Sequence, residues 1–359
     1  MAYAVRRSWG GVLVAGLVVG AWVGAARGPA RAADAPAPEP LVPTATIPLG
    51  DVAGRIDHLA LDAEGQRLAV AALAHGAVVI VDPAERKVVH VIEGLAEPQG
   101  VAWRPDGRLL VTTGGDGRLR LVDATTAARL DEVEVGDDAD NVRLLGERVF
   151  VGAGAGWIAE VTSAAEVLPQ AGAGLRAREV LASKPSVRLG GHPESFQVEV
   201  RKHVVRAYVN VPGTVAQVAV LEGTGVLDRL VATWTLAGVA ANYPMALDAS
   251  GHRLFVGCRR PARLLVLDTE TGATTATSDL SGDVDDLWWD ETASRLYASC
   301  GEGFVDVFAP TGEAWTRTHR VATRKGARTS LFVPGTRTLF VAVPRLGDEP
   351  AEVRVFSAR

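Results

Sequence analysis

Seven short polar segments recur along the chain, each just before a run of apolar residues, and they carry most of the side chains that could bind a ligand. Two positions before the first apolar residue of each run stand Asp57, Gln99, Asp140, Glu194, Tyr243, Asp285 and Thr329. Converging carboxylates bind cations or basic groups, and nearby titratable groups can transfer protons. The shared placement of these residues predicts one common site.

The residues expected to bind a ligand at this site are the polar members of the seven segments. They are Arg55, Asp57, His58, Gln99, Asp140, Asn141, His192, Glu194, Asn242, Tyr243, Asp285, Asp286 and Arg328. Four carboxylates repel one another unless a cation or the arginines intervene. The alternative is that these side chains cap turns and bind backbone amides of the next repeat.

A divalent cation is the one cofactor these residues suggest, although the prediction is that no cofactor is needed. Oxygen ligands suit Ca²⁺ or Mg²⁺, whereas His58 with His192 could instead hold Zn²⁺. The oxygen ligands would be Asp57, Asp140, Glu194 and Asp285.

The chain contains none of the common catalytic signatures. Gly-x-Ser-x-Gly, His-Glu-x-x-His, the phosphate-binding Gly-x-x-x-x-Gly-Lys and the haem-attachment Cys-x-x-Cys-His are all absent from the sequence. A noncatalytic binding or scaffold module is therefore favoured. The alternatives are a metal-dependent hydrolase, for instance of lactones, and a subunit of a periplasmic redox complex.

A repeat of about 40 residues orders the polar segments. In nearly every repeat an arginine begins a short apolar run, and these runs are residues 67–70, 108–111, 148–151, 206–209, 253–256, 295–298 and 338–341. Further β-branched runs and turn residues indicate four strands per repeat, the pattern of a propeller blade. The 39 glycines suit an all-β fold with many tight turns.

The seventh repeat lacks a fourth strand, because its third strand, residues 353–357, lies at the C-terminus. Residues 44–49 have a strand pattern and no other partner. Their docking on the last blade would remove an open edge. The sequence thus predicts a seven-bladed β-propeller over residues 44–359, closed by an N-terminal strand, with an insertion at about 164–185 in blade three.

The repeat resembles that of the YVTN-repeat, surface-layer-type β-propellers. The resemblance rests on Tyr208-Val209-Asn210, on the Arg-Leu-Phe-Val and Leu-Leu-Val-Leu-Asp runs, and on Asp268-Thr269-Glu270-Thr271-Gly272. The family includes exported propellers of bacteria and archaea. The resemblance implies the fold, and leaves the ligand or partner, whether protein or small molecule, unidentified.

The N-terminus predicts export to the periplasm or the extracellular space. Residues 1–32 resemble a secretory signal peptide, with Arg6 and Arg7 before an apolar stretch and a cleavage site at Ala30-Arg31-Ala32. A retained membrane anchor is the alternative, and Sec and twin-arginine export are both left open. Residues 33–43, with four prolines, predict an extended linker.

The net charge limits the kinds of partner that the protein can bind, and the two cysteines raise the question of a disulfide. The net charge is −5 and becomes more negative when the four arginines of the signal peptide are removed, which disfavours nucleic acid and membrane surfaces. We expect a monomer that does not insert into membranes after cleavage. Cys258 and Cys300 hold equivalent positions in adjacent blades, roughly 10 Å apart by strand spacing, so two free thiols are favoured over a bridge.

Overall fold

Four antiparallel strands form each of seven sheets in the computed structural model, which describes residues 39–154, 156–169, 175–224 and 226–359. Residues Glu39–Arg359 form one compact unit. The predicted signal peptide and residues 33–38 of the predicted linker lie outside the described residues.

The first half of the chain supplies the closing strand and three blades. The strands, in chain order, are β1 Leu41–Pro48; in blade one β2 Leu59–Leu61, β3 Leu68–Ala72, β4 Ala77–Asp82 and β5 Lys87–Ile92; in blade two β6 Pro98–Trp103, β7 Leu109–Thr113, β8 Arg118–Val122 and β9 Arg129–Glu134; and in blade three β10 Ala139–Leu145, β11 Arg148–Ala153, β12 Trp157–Pro169 and β13 Leu175–Pro185. A single turn of 3-10 helix, Leu73–His75, precedes β4.

Four more blades complete the ring. Their strands are β14 Phe196–Arg201, β15 Val204–Val211, β16 Ala216–Gly223 and β17 Arg229–Leu236 in blade four; β18 Ala240–Asp248, β19 Arg253–Arg260, β20 Ala262–Asp268 and β21 Thr274–Asp279 in blade five; β22 Val284–Asp290, β23 Arg295–Cys300, β24 Phe304–Thr311 and β25 Ala314–Ala322 in blade six; and β26 Ser330–Val333, β27 Thr338–Val343 and β28 Glu352–Ala358 in blade seven. The predicted all-β, seven-bladed propeller is confirmed.

The position of a strand in its blade explains its pattern of burial. All five residues of β3 are buried, because neighbouring blades cover both of its faces. The outermost strand β5 alternates between exposed and half-buried residues over most of its length, as a strand with one solvated face does. The apolar core therefore lies between the blades.

The N-terminal strand closes the ring on blade seven, as the sequence predicts. β1 pairs antiparallel with β28, from Leu41 opposite Ala358 to Pro48 opposite Glu352. It begins at Leu41, three residues earlier than expected, because the Leu41 side chain is only 2% exposed and belongs to the core. Pro48 lies on the outer edge, where its missing N–H costs no ladder hydrogen bond.

The residues assigned to an insertion in blade three lie in its outer hairpin. β13 pairs with β12 along its whole length, from Ala159 opposite Pro185 to Pro169 opposite Leu175. Residues 170–174, between them, are outside the described part of the chain. The additional length of this repeat therefore extends the two outer strands.

Two further sequence expectations concern the interior of the blades. Cys258 and Cys300 are both free and buried. The repeat arginines bind acidic turns: Arg67 Nε lies 2.8 Å from Asp62 Oδ2, and Arg253 Nη2 lies 2.6 Å from Asp248 Oδ2. No helix in the described ranges combines the length and the apolar character needed to cross a membrane.

Candidate functional site: a polar cavity at the centre of the ring

A cavity of about 340 Å³ lies where the seven innermost strands begin. We call it the polar cavity, because nearly all of its lining residues are polar or charged. They come from all seven blades: Arg55, Leu73, Glu97, Gln99, Asp138, Asp140, His192, Glu194, Tyr243, Arg259, Asp285 and Arg328. The ring topology thus brings together side chains that are far apart in the sequence.

A repeated backbone irregularity positions several of these side chains. The register between the first two strands shifts near the start of blades two, three, five and six, as at Ala139/Val142 and Val284/Asp286. The residues just before the shifts, including Glu97, Asp138 and Asp283, have positive φ angles of 54°, 50° and 58°. Such bulges redirect side chains, and here they turn polar groups towards the cavity.

The arginines of the cavity are all engaged by carboxylates. Arg328 Nε lies 2.9 Å from Asp285 Oδ2, and its Nη1 lies 3.0 Å from Asp283 Oδ2. Arg259 also binds Asp285, and its guanidinium lies 4.1 Å from the centre of the Tyr243 ring. Two aspartates and two arginines thus form a neutral network.

Arg55 belongs to a second ion pair, with a buried partner. Its Nη2 lies 2.8 Å from Asp57 Oδ2. Asp57 is 2% exposed. Burial raises the pKa of Asp57 to about 6, although the charges of His58 and Arg55 oppose the shift.

The opposite half of the cavity is acidic, and the ion pairs that the described part of the chain shows for its carboxylates are all with histidines. His192 Nδ1 lies 3.7 Å from Asp138 Oδ2, and its Nε2 lies 3.6 Å from Glu194 Oε1. Among the described residues, Glu97, Asp138, Asp140 and Glu194 form no ion pair with an arginine or lysine. We call these four residues the acidic crescent.

The pKa of Glu194 reflects the closeness of the other carboxylates. Burial, together with the charges of Asp140, Asp285 and Asp138, raises the pKa of Glu194 to about 9, against an opposing effect of Arg259. Glu194 is therefore protonated at neutral pH, and a nearby cation would favour its ionised form.

His58 lies behind the cavity and links two carboxylates. Its Nε2 lies 3.7 Å from Asp57 Oδ1 and 3.6 Å from Asp140 Oδ1. Burial alone would lower the pKa of His58, but Asp140 and Asp57 raise it to about 9. The imidazolium in turn lowers the pKa of Asp140, although burial acts in the opposite direction.

The structure places the thirteen residues predicted from the sequence in four locations. The residues that line the polar cavity are Arg55, Gln99, Asp140, His192, Glu194, Tyr243, Asp285 and Arg328. Asp57, His58 and Asn141 lie behind it, and Asn141 Nδ2 donates to Asp140 Oδ2 at 3.1 Å.

Asn242 and Asp286 do not line this cavity. Asn242 is buried and donates to Asn210 Oδ1 at 2.9 Å and to the Gln217 carbonyl at 2.8 Å, so it joins strands. Asp286 faces a different cavity farther along the innermost strands, and its Oδ2 accepts from the Ser330 N–H at 2.7 Å.

Sequence reasoning missed Glu97, Asp138 and Arg259 as lining residues. Glu97 and Asp138 stand two positions before Gln99 and Asp140, so a polar-x-polar pattern at the start of the innermost strand was the available signal. Arg259 lies near the end of β19 and follows no such pattern.

The predicted cation remains a prediction. Asp57 and Asp285, two of its four proposed ligands, are bound to arginines. Within the described ranges, no group of three or more His, Cys, Asp or Glu residues is arranged to hold a metal ion.

The fold and this arrangement of the innermost strands define a seven-bladed β-propeller with a WD40-type repeat segment. Residues 93–151 match the family model described as the WD40 domain of anaphase-promoting complex subunit 4. No curated protein shows significant similarity to the chain.

A chain of the solved structure entitled "Crystal Structure of Mitotic Checkpoint Complex" is similar to this protein, with a TM-score of 0.66. The match covers 93% of this chain and 99% of that chain at 15% identity. At this level of identity the likeness shows the fold alone.

Proposed function

We propose that this protein is a noncatalytic binding module that holds a cationic group of a partner protein at the acidic crescent. The observation that carries this proposal is the unequal pairing of charges in the polar cavity. Its arginines are engaged by Asp57, Asp283 and Asp285, whereas among the described residues Asp138, Asp140 and Glu194 pair only with histidines and Glu97 forms no ion pair.

An ammonium or guanidinium group at the crescent would relieve the repulsion between its carboxylates. Charge-assisted hydrogen bonds of this kind contribute about 1.5–3 kcal/mol each. Because a bound cation favours ionised Glu194, binding releases a proton below the pKa of about 9. We therefore expect the affinity to increase as the pH rises from 7 towards 9.

A protein partner is supported by the architecture. The WD40-type segment and the likeness to a chain of a multiprotein complex both favour protein binding. The YVTN-type repeat is consistent with the same role. We propose that the protein acts as a monomer without a resident cofactor.

Export is a second part of the proposal, and it rests on the sequence of residues 1–32. Expression in a bacterial host, followed by fractionation and N-terminal sequencing, tests it. We expect mature protein beginning at Ala33 in the periplasm or medium. An uncleaved chain in the cytosol would contradict export.

Calorimetric titration with short peptides at low salt tests the binding function. A lysine-containing peptide is expected to bind, and its glutamate-substituted counterpart is not. At pH 9, Glu194→Gln should weaken binding about tenfold or more. Asp138→Asn, at a side chain 56% exposed, should weaken it about two- to fivefold. Glu85→Gln, at a side chain 66% exposed and outside the lining, is the matched control.

Three results would contradict the proposal. They are equal binding of the glutamate peptide, an unchanged affinity in Glu194→Gln, and turnover of a lactone that Asp140→Asn abolishes. The third result would favour the metal-dependent hydrolase.

A further inference from the structure

A second cavity of about 340 Å³ lies farther along the innermost strands, and no role follows for it from the polar cavity. We call it the apolar chamber. Its walls include Trp103, Leu144, Met245 and Trp288, and all seven blades contribute to it. Twelve of its sixteen lining residues are apolar, and its size is that of a small-molecule site. Leu144 and Trp288 are partly exposed, so solvent reaches the chamber.

Two opposite charges face this chamber without being paired to each other. Arg143 Nη2 donates to Asn141 Oδ1 at 2.8 Å, and its Nη1 donates to the Val142 carbonyl at 3.0 Å. Asp286 Oδ2 accepts from the Ser330 N–H at 2.7 Å. Within the part of the chain that the structure describes, neither Arg143 nor Asp286 forms an ion pair.

Burial without an ion-pair partner among the described residues shifts the pKa of both Arg143 and Asp286. Burial lowers the pKa of the Arg143 guanidinium from its ordinary value. Burial raises the pKa of Asp286 to about 7, despite the opposing charge of His58. A buried charge without a partner is unfavourable, and a ligand that supplies the opposite charge removes the penalty.

We propose that the apolar chamber binds a small zwitterion with an apolar body, an α-amino acid with a large apolar side chain. Arg143 binds the carboxylate and Asp286 binds the ammonium group. Two opposite charges that face one chamber without touching each other suit a ligand that places both of its charges between them. A guanidinium has five N–H donors, so Arg143 can bind a carboxylate while keeping its two hydrogen bonds within the protein.

The two indoles suit the body of such a ligand. Trp103 Nε1 donates to the Ala60 carbonyl at 3.1 Å, and Trp288 Nε1 donates to Ser330 Oγ at 3.1 Å. Since both N–H groups already have partners, the rings can offer apolar surface without leaving a polar atom unsatisfied. This proposal is independent of cation binding at the acidic crescent.

Calorimetric titration of the native protein with four kinds of ligand tests the proposal. L-phenylalanine and L-tryptophan should bind saturably. Binding should be about tenfold weaker or more for 3-phenylpropanoate, which lacks the ammonium group, for phenethylamine, which lacks the carboxylate, and for glycine, which lacks the apolar body. Absence of saturable binding by the amino acids, or equal binding of a comparator, would overturn the proposal.

Neighbouring residues of β22 provide a matched pair of variants. Asp286→Asn keeps an oxygen for the Ser330 N–H and should weaken L-phenylalanine binding about tenfold or more. Asp285→Asn alters the polar cavity instead and removes a charge that raises the pKa of Asp286, so it should not weaken L-phenylalanine binding. Arg143→Gln should weaken carboxylate binding to a similar extent.

Each variant is first checked for a native melting transition, and Asp286→Asn alone suffices if Arg143→Gln does not fold. Unchanged affinity in Asp286→Asn, or equal losses in Asp286→Asn and Asp285→Asn, would refute the assignment. Failure of lysine-peptide binding would bear only on the polar cavity.

Discussion

Removal of the closing strand β1 should cost most of the stability of the propeller. The comparison is between a chain that begins at residue 39 and one that begins at residue 51. The deletion removes Leu41, Ile47 and Leu49, whose residues are 2%, 0% and 2% exposed. Burial of a large aliphatic side chain contributes about 1.5–3 kcal/mol, so the three together contribute about 5–9 kcal/mol as an upper bound. Whole domains are stable by about 5–15 kcal/mol.

Urea unfolding followed by tryptophan fluorescence measures this loss. Ile47→Ala alone should cost about 2–5 kcal/mol. Thr46→Ala, at the exposed neighbouring position, should change the free energy of unfolding by less than about 0.5 kcal/mol.

The shortened chain exposes the edge of β28, so it should also self-associate, and a peptide of residues 39–50 should restore its stability. An unfolding free energy equal to that of the longer chain would refute the argument.

Three further predictions follow from the charged and buried groups. The folded protein keeps the proton of Glu194 up to a pKa of about 9, so the free energy of unfolding of the wild type should fall as the pH rises above 4.5. Glu194→Gln does not have this loss, so its advantage in stability should grow by up to about 1.4 kcal/mol for each pH unit until about pH 9. Parallel curves of stability against pH for the two proteins would contradict this. Added Ca²⁺, Mg²⁺ or Zn²⁺ should leave the melting temperature unchanged, because Asp57 and Asp285 are ion-paired and no three acidic, His or Cys side chains of the described residues are arranged to hold a metal ion. A cation-dependent rise that Asp140→Asn abolishes would show that a metal ion binds. Cys258 and Cys300 should react with a thiol reagent only after unfolding, because both are buried; rapid labelling of the native protein would contradict their burial.

Most of the architecture could be predicted from local patterns. The recurring run of arginine and apolar residues marks the second strand of each blade, and the C-terminal strand leaves blade seven one strand short. Strand patterns depend on alternation and turn residues, both of which are visible within a few positions. The same regularity predicted that polar residues before the innermost strands come together, and eight of the thirteen line one cavity.

Which of those residues share a cavity, and which are already paired, depended on the tertiary structure. Asp285 and Asp286 are adjacent in sequence, yet a register shift at the start of β22 directs them to different cavities. Arg259 reaches Asp285 from β19 of the preceding blade, a contact that no repeat pattern marks. Periodicity determines which face of a strand is buried, whereas ion pairs between blades depend on bulges and side-chain reach across the closed ring. Local patterns are therefore enough to predict the ring and its polar opening, whereas the ion pairs of the arginines, and the lack of arginine or lysine partners at the acidic crescent within the described ranges, follow from contacts between blades.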